Sequence, residues 1–202
     1  MLKLIKTKKY SGLTLIELIV SISIISLVTT IFVVNYQVST KRTDLIMTAQ
    51  VVVADIHRAQ NNALGLVKYG SEVPAGGWGV HFNMSDRTKY YIFADLQAPG
   101  DLGNLVFDIN TEGDINQGAR IIELPSNLEI AALKRNQAEG LDLDFMNIVF
   151  LPPDPRTHIY YNLSEPATST DMFIFLKDVN DDNPDNYKIV QANILGLVEV
   201  LE

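Results

Sequence analysis

The feature that constrains this chain most is a long apolar run near its amino terminus. Residues 13–36 read LTLIELIVSISIISLVTTIFVVNY, and Glu17 is the only ionisable residue before Tyr36. A helix of that length is long enough to cross the hydrocarbon core of a bilayer, which is about 30 Å thick. Because four lysines precede the run, the positive-inside rule predicts a cytoplasmic segment 1–12 and an exported chain after Tyr36. We therefore expect a single-pass inner-membrane protein with an extracytoplasmic head.

Two common kinds of apolar segment explain this run less well. An ordinary secretory signal would have a shorter apolar region followed by a small-residue cleavage site of the A-x-A type, which this sequence lacks. A plain signal anchor fits the length of the run. It leaves unexplained why an acid lies inside the run and why a glycine stands directly before it.

Glu17 and Gly12 are the two residues that an anchor does not need. A carboxylate inside a membrane helix costs a few kcal/mol, so Glu17 requires a partner or a function. Gly12 has no side chain, which suits a peptide bond that must enter a protease. If the bond after Gly12 is cut, the new amine of Leu13 lies four residues before Glu17, on the same helix face. Amine and carboxylate could then neutralise each other, within one chain or between neighbours.

The sequence KKYSG followed by LTLIELIVSISII resembles the prepilin cleavage and methylation motif of type IV pilins and type II secretion pseudopilins. The resemblance implies cleavage after Gly12 by a membrane prepilin peptidase and N-methylation of the new first residue, Leu13. It implies that Glu17 helps to register an incoming subunit against its neighbour's amine in a filament. Other pilins, an inner-membrane assembly platform and membrane lipid are the implied partners. Major subunits of this family often have a proline where this chain has Val34, which favours a minor subunit.

The apolar pattern changes after Tyr36 to that of an amphipathic helix. Residues 37–68 carry polar side chains on most faces and one apolar stripe at three- and four-residue steps, which predicts a stem helix that continues the membrane helix and packs on a sheet. The stripe consists of Leu45, Ala49, Val52, Val53, Ile56, Ala59 and Ala63. The helix is expected to fray near Gly65 or Gly70.

Residues 69–202 read as short β-rich runs separated by turn residues, which predicts an α+β protein with an antiparallel sheet head. Trp78, Val80 and Phe82 alternate with smaller or polar residues and are expected to face the stem helix. The predicted strands are 78–83, 89–95, 105–110, 120–124, 128–134, 141–150, 158–162, 172–177, 187–194 and 197–201.

A second resemblance extends over most of the chain. HRAQNNA from His57, GGWGVHFN from Gly76, YYIFADL from Tyr90 and the closing NILGLVEV resemble the GspH/FimT-like group of minor pilins and pseudopilins. This resemblance implies a head of antiparallel sheets packed on the carboxyl half of the stem, placed at or near a filament tip.

The sequence offers no constellation for catalysis. There is no cysteine, the three histidines are scattered, and no nucleophile elbow or phosphate-binding glycine loop is found, so neither an enzyme nor a zinc site is expected. The stretch DVNDDNPDN places oxygen ligands at Asp178, Asn180 and Asp182, alternating as in calcium loops, but it lacks the glycine and the glutamate of an EF-hand. A solvated hairpin turn is the favoured interpretation, with calcium as the alternative and no other cofactor expected.

The charge of the chain argues against a nucleic-acid partner. The formal net charge is -8, and loss of the four leader lysines takes the mature chain to about -12. Lys134 and Arg135 form the only basic pair of the head sequence. A FimT-like tip pilin that binds DNA for uptake is therefore the second functional hypothesis, behind a structural filament subunit.

Overall fold

A computed structural model describes residues 12, 14–96, 107, 120–135, 142–151, 157–161, 165–166 and 171–201, with only the backbone at 37, 38, 165 and 166. The chain divides into two compact units, Met1–Arg42 and Thr43–Glu202. One helix, α1 (Leu15–Leu64), contributes residues to both units.

In the first unit, α1 presents apolar side chains to its surroundings on all faces. Every large apolar side chain described from Leu15 to Tyr36 is exposed, and the helix is long and apolar enough to cross a membrane. Five of its hydroxyl groups are satisfied within the helix, because each of them donates to the carbonyl four residues earlier. These donors are Ser21, Ser23, Thr29, Thr30 and Thr40.

In the second unit, α1 buries the stripe that the sequence predicts. Leu45, Ala49, Val52, Ile56, Ala59 and Ala63 are all buried, and Val53 is half-buried beside them. The helix ends at Leu64, four residues before the predicted bound at 68. The end is a Schellman turn in which Val67 N donates to Asn62 O and Leu66 N to Ala63 O. The left-handed position of this turn is taken by Leu66, with φ of 51°, and not by a glycine.

Two antiparallel sheets follow the helix. The first has the order β3-β2-β1-β5-β6-β7 and the second the order β10-β9-β8-β4. The strands are β1 Trp78–Asn83, β2 Lys89–Ala94, β3 Arg120–Glu123, β4 Leu128–Lys134, β5 Phe145–Phe150, β6 Thr157–Tyr161, β7 Glu165–Pro166, β8 Asp171–Asp178, β9 Lys188–Asn193 and β10 Val198–Leu201.

The strand predictions agree with the structure wherever it describes the chain. Nine of the ten predicted strands correspond to observed strands with bounds that differ by a few residues, as at β2, which ends at Ala94 and not at 95. The tenth, 105–110, lies outside the described residues apart from Phe107. The two-residue strand β7 has no counterpart in the prediction, because a pair of residues carries no periodic signal.

A single hydrophobic core joins α1 to one face of each sheet. Trp78, Val80 and Phe82 contribute from β1, as the alternation in the sequence predicts. The second sheet contributes alternate residues of β8, including Met172 and Ile174. One polar contact crosses this core: the hydroxyl of Tyr90 on β2 donates to Asp55 Oδ2 on α1 at 2.6 Å. Burial, followed by this bond, raises the pKa of Tyr90, so the hydroxyl stays a donor. The α+β layout is thus confirmed.

A glycine turn sets the entry into the first sheet. Gly77 has φ of +87°, and a Cβ on it would lie 2.1 Å from the carbonyl oxygen of Phe150. Gly77 O also accepts a hydrogen bond from Asp95 N at 2.9 Å, so the turn cannot shift without breaking the pairing beside β2. Packing against Phe150 therefore requires a glycine at position 77.

We expect Gly77→Ala to lower the free energy of unfolding by about 3 kcal/mol, because it combines backbone strain with a clash against backbone. Gly70→Ala is the matched control: Gly70 has φ of +64°, but no described atom lies within 4 Å of its Cβ position. That change should cost only about 1 kcal/mol. Urea unfolding of a fragment of residues 43–202 measures both, and equal losses would show that the close approach to Phe150 does not matter.

Candidate processing and assembly site

The start of α1 lies directly after the predicted cleavage site. Thr14 precedes the helix, and its Oγ1 accepts a hydrogen bond from Glu17 N at 3.3 Å, while Leu18 N donates to Thr14 O at 3.2 Å. Thr14 is therefore the N-cap and Glu17 the third helical residue. A threonine followed three residues later by a glutamate is the spacing of a capping box. This local signal in the sequence predicts a helix start at Thr14 independently of any role of Glu17 in assembly.

Glu17 has a favourable position at the helix start despite its apolar neighbours. It is exposed, and it is the acidic residue of the first turn, where the partial positive charge of the helix amino terminus stabilises a carboxylate. A new amine at Leu13 would add a full positive charge one residue before the cap. The carboxylate is thus placed at the end of the helix where a cation would be created.

Gly12 is exposed, and no described residue beyond its chain neighbours has an atom within 4 Å of where a Cβ would lie. A side chain at position 12 would therefore meet no described residue beyond its chain neighbours. Leu13, the predicted site of methylation, lies outside the described residues.

The predicted calcium ligands lie in the turn between β8 and β9, where hydrogen bonds of the turn itself engage the acids. Asp178 Oδ1 accepts from Asn180 N at 2.9 Å, and Asp182 Oδ1 lies 2.5 Å from Lys177 Nζ. No group of three or more histidine or acidic residues with metal-binding geometry is found in the described part of the chain. These hydrogen bonds are those of a hairpin turn, and calcium at Asp178, Asn180 and Asp182 stays a prediction.

His81, one of the three scattered histidines of the sequence, lies in a buried polar pair on the outer face of the first sheet. Its Nδ1 is 2.7 Å from Asn147 Oδ1 on β5, and its ring packs against Phe107 with centroids 4.5 Å apart. Tyr91 and Phe145 complete the surroundings among the described residues. Burial lowers the pKa of His81 to about 4, and the hydrogen bond that His81 Nδ1 donates to Asn147 Oδ1 opposes this shift only in part.

His81 should make the head less stable in acid. The pKa of about 4 in the folded chain lies below the ordinary value of 6.5, so the unfolded chain binds the proton more tightly between these two pH values. The contribution of neutral His81 to the free energy of unfolding is therefore fully present above pH 6.5. It is lost as the pH falls towards 4, by up to about 3 kcal/mol. Urea unfolding as a function of pH measures this loss.

The control for this pH dependence is His81→Phe, because phenylalanine keeps an aromatic ring on β1 and removes the titration. The difference in unfolding free energy between pH 7 and pH 4.5 should be smaller in the variant than in the wild type, whatever its absolute stability. Equal pH slopes in the two proteins would show that other groups cause the acid sensitivity.

Comparison with known families identifies the amino-terminal segment. Residues 7–33 match the family described as the Prokaryotic N-terminal methylation motif, the signal of type IV pilin-like proteins. The match supports the pilin and pseudopilin class, indicates a substrate of prepilin peptidase, and points to a structural subunit that assembles with other pilins more than to an enzyme. Comparison with curated proteins and with solved structures gives no match.

Proposed function

We propose that this chain is a minor pilin or pseudopilin of the GspH/FimT-like kind, cut after Gly12, methylated at Leu13 and assembled into a filament through α1. The observation that carries the proposal is the position of the helix start inside the methylation motif. The methylation motif covers residues 7–33, and α1 begins at Leu15 with its cap at Thr14 and its first-turn acid at Glu17. A bond cut after Gly12 would place the new amine at the helix terminus.

The two faces of α1 in the second unit support assembly through this helix. The face formed by Ala49, Val52 and Ile56 is buried in the core of the head. On the opposite face, Met47 and Val51 are 60% and 52% exposed, one helical turn apart. This exposed face suits packing against other stems, and the uniformly apolar part of α1 suits lipid before assembly and neighbouring helices after it.

Membrane insertion with a cytoplasmic leader and an exported head is part of the proposal, as are prepilin peptidase and an inner-membrane assembly platform as partners. The lysine-rich segment 1–12 supports this orientation. The machine that uses the filament, whether for secretion or for a pilus, would be defined by the other subunits.

Co-purification with sheared filaments tests the proposal. In cells with an active prepilin peptidase and the matching assembly system, the chain should be found in the filament fraction by immunoblot. In cells without the peptidase it should stay entirely in the membrane fraction. A chain that stays in the membrane fraction of both strains would contradict a filament role.

The second hypothesis, DNA binding by a tip pilin, is less well supported because the basic pair of the head is engaged internally. Lys134 Nζ lies 3.6 Å from Asp142 Oδ1 and 5.5 Å from the centroid of the Phe175 ring. Arg135 lies over the ring of Tyr161 at 4.7 Å and donates from Nη1 to its hydroxyl. A mobility-shift experiment at low salt distinguishes the hypotheses, because a shift of DNA by micromolar protein would favour the tip pilin.

A further inference from the structure

The turn between β8 and β9 concentrates negative charge in a short segment. Residues 178–186 include four aspartates, and like charges so close together repel one another. A turn of this composition needs a source of positive charge or a hydrogen-bond network to hold its shape. A bound calcium ion, which takes six to eight oxygen ligands, is one such source of positive charge.

Backbone and side-chain hydrogen bonds within the turn fix most of its shape. Asp181 accepts from Asn183 N at 3.0 Å and from Asn186 Nδ2 at 2.8 Å. Asn183 Oδ1 accepts from Asp185 N at 3.2 Å and so caps a single 3-10 turn, Pro184–Asn186. These oxygens are directed at the turn's own donors, whereas a calcium ion requires six to eight oxygens directed at one point.

The positive charge comes from Lys177, the residue before the turn. Its Nζ lies 2.5 Å from Asp182 Oδ1 in the turn and 3.2 Å from Glu129 Oε1 on β4. Glu129 is paired directly opposite Lys177 in the strand register. The side chains of Lys177 and Glu129 are only 12% and 20% exposed, so this pair is less screened by water than a surface ion pair. Asp182 is 89% exposed, so its bond with Lys177 is a surface contact anchored by the Lys177–Glu129 pair.

A metal ion and this ammonium group would compete for the same oxygen. Calcium binds carboxylate oxygens at 2.3–2.6 Å, so an ion on Asp182 Oδ1 would lie within a few ångströms of Lys177 Nζ. The two positive charges would repel each other at that distance. The bond with Asp182, followed by that with Glu129, raises the pKa of Lys177, so the ammonium keeps its charge throughout the physiological pH range.

We propose that Lys177 takes the place of a divalent cation in this hairpin, so that the head holds its acidic turn without calcium. The proposal concerns only the β8–β9 hairpin and β4, and it stands whether or not the chain enters a filament.

Thermal unfolding of the full chain in a non-ionic detergent tests the proposal, with calcium chloride as the probe against a chelator. We expect the Tm of the wild type to be the same within about 1 °C in EGTA and in 10 mM calcium chloride. Lys177→Met should lower the Tm by about 5 °C in EGTA. Lys177→Arg, which keeps the charge, should lower it by much less.

Lys188→Met is the matched control, because it removes the same charge from the same hairpin. Lys188 is on β9, directly opposite Leu176, and makes no ion pair with any described residue. Its substitution should change the Tm by about 1 °C or less. A saturable rise in the wild-type Tm with calcium would overturn the proposal, and so would equal losses in Lys177→Met and Lys188→Met.

Discussion

Gly12→Val should abolish removal of the leader: in cells with an active prepilin peptidase, the variant should keep Met1–Gly12 on more than nine-tenths of its molecules. The physical reason is access to the peptide bond, since a branched side chain next to it must enter a protease site suited to glycine. Intact-mass spectrometry of the purified chain measures the uncut fraction directly. The wild type should start at Leu13 and carry a methyl group on its amine.

The structure makes this substitution a test of recognition more than of folding. Gly12 is exposed, and a side chain there would meet no described residue beyond its neighbours in the chain. Ser11→Val is the control, because it places the same side chain one residue earlier and should leave cleavage largely intact. If the native wild-type protein still begins at Met1, cleavage after Gly12 is wrong, and the assembly proposal that depends on it is wrong as well.

The sequence predicted the parts of the fold that follow from periodicity. The apolar stripe of the stem and the alternation at Trp78, Val80 and Phe82 both have a regular spacing, and the structure buries these residues as expected. Such patterns work because a helix or a strand repeats its environment along the chain.

Features that depend on contacts between distant residues could not be predicted from periodicity. The bond from Tyr90 to Asp55 and the pair of His81 with Asn147 join residues that are 35 and 66 positions apart. The left-handed residue of the turn after α1 is a related case, since Leu66 adopts a backbone conformation that composition assigns to glycine. Tertiary packing sets these positions, and one sequence carries no local signal for it.

The candidate site contains residues that a local sequence pattern predicts and residues whose contacts are distant in sequence. Gly12, Leu13 and Glu17 were found from a short linear motif, and the match at residues 7–33 agrees with that reading at the level of the class. The alternation of oxygen-bearing side chains predicts calcium at Asp178, Asn180 and Asp182, and Lys177 stands directly before them in the sequence. The ion pair of Lys177 with Glu129 joins distant residues that only the sheet register brings together.

Glu17→Ala should insert into the membrane normally and yet enter filaments at least about 10-fold less often than the wild type. Insertion is spared because removal of a charge makes the apolar segment more favourable in lipid. Incorporation falls because the amine of Leu13 then lacks the carboxylate that would offset its desolvation between packed helices. The ratio of chain in sheared filaments to chain in membranes, by quantitative immunoblot, gives the effect.

Glu17→Gln separates the charge of Glu17 from its place in the capping box. Glutamine at the third helical residue can still act with the Thr14 cap, whose Oγ1 accepts from the backbone of residue 17. If the charge registers an incoming subunit, the glutamine and alanine variants should lose incorporation alike. Wild-type incorporation of Glu17→Gln would instead assign Glu17 to helix capping, and the pairing of its carboxylate with the amine of a neighbouring subunit would have to be abandoned.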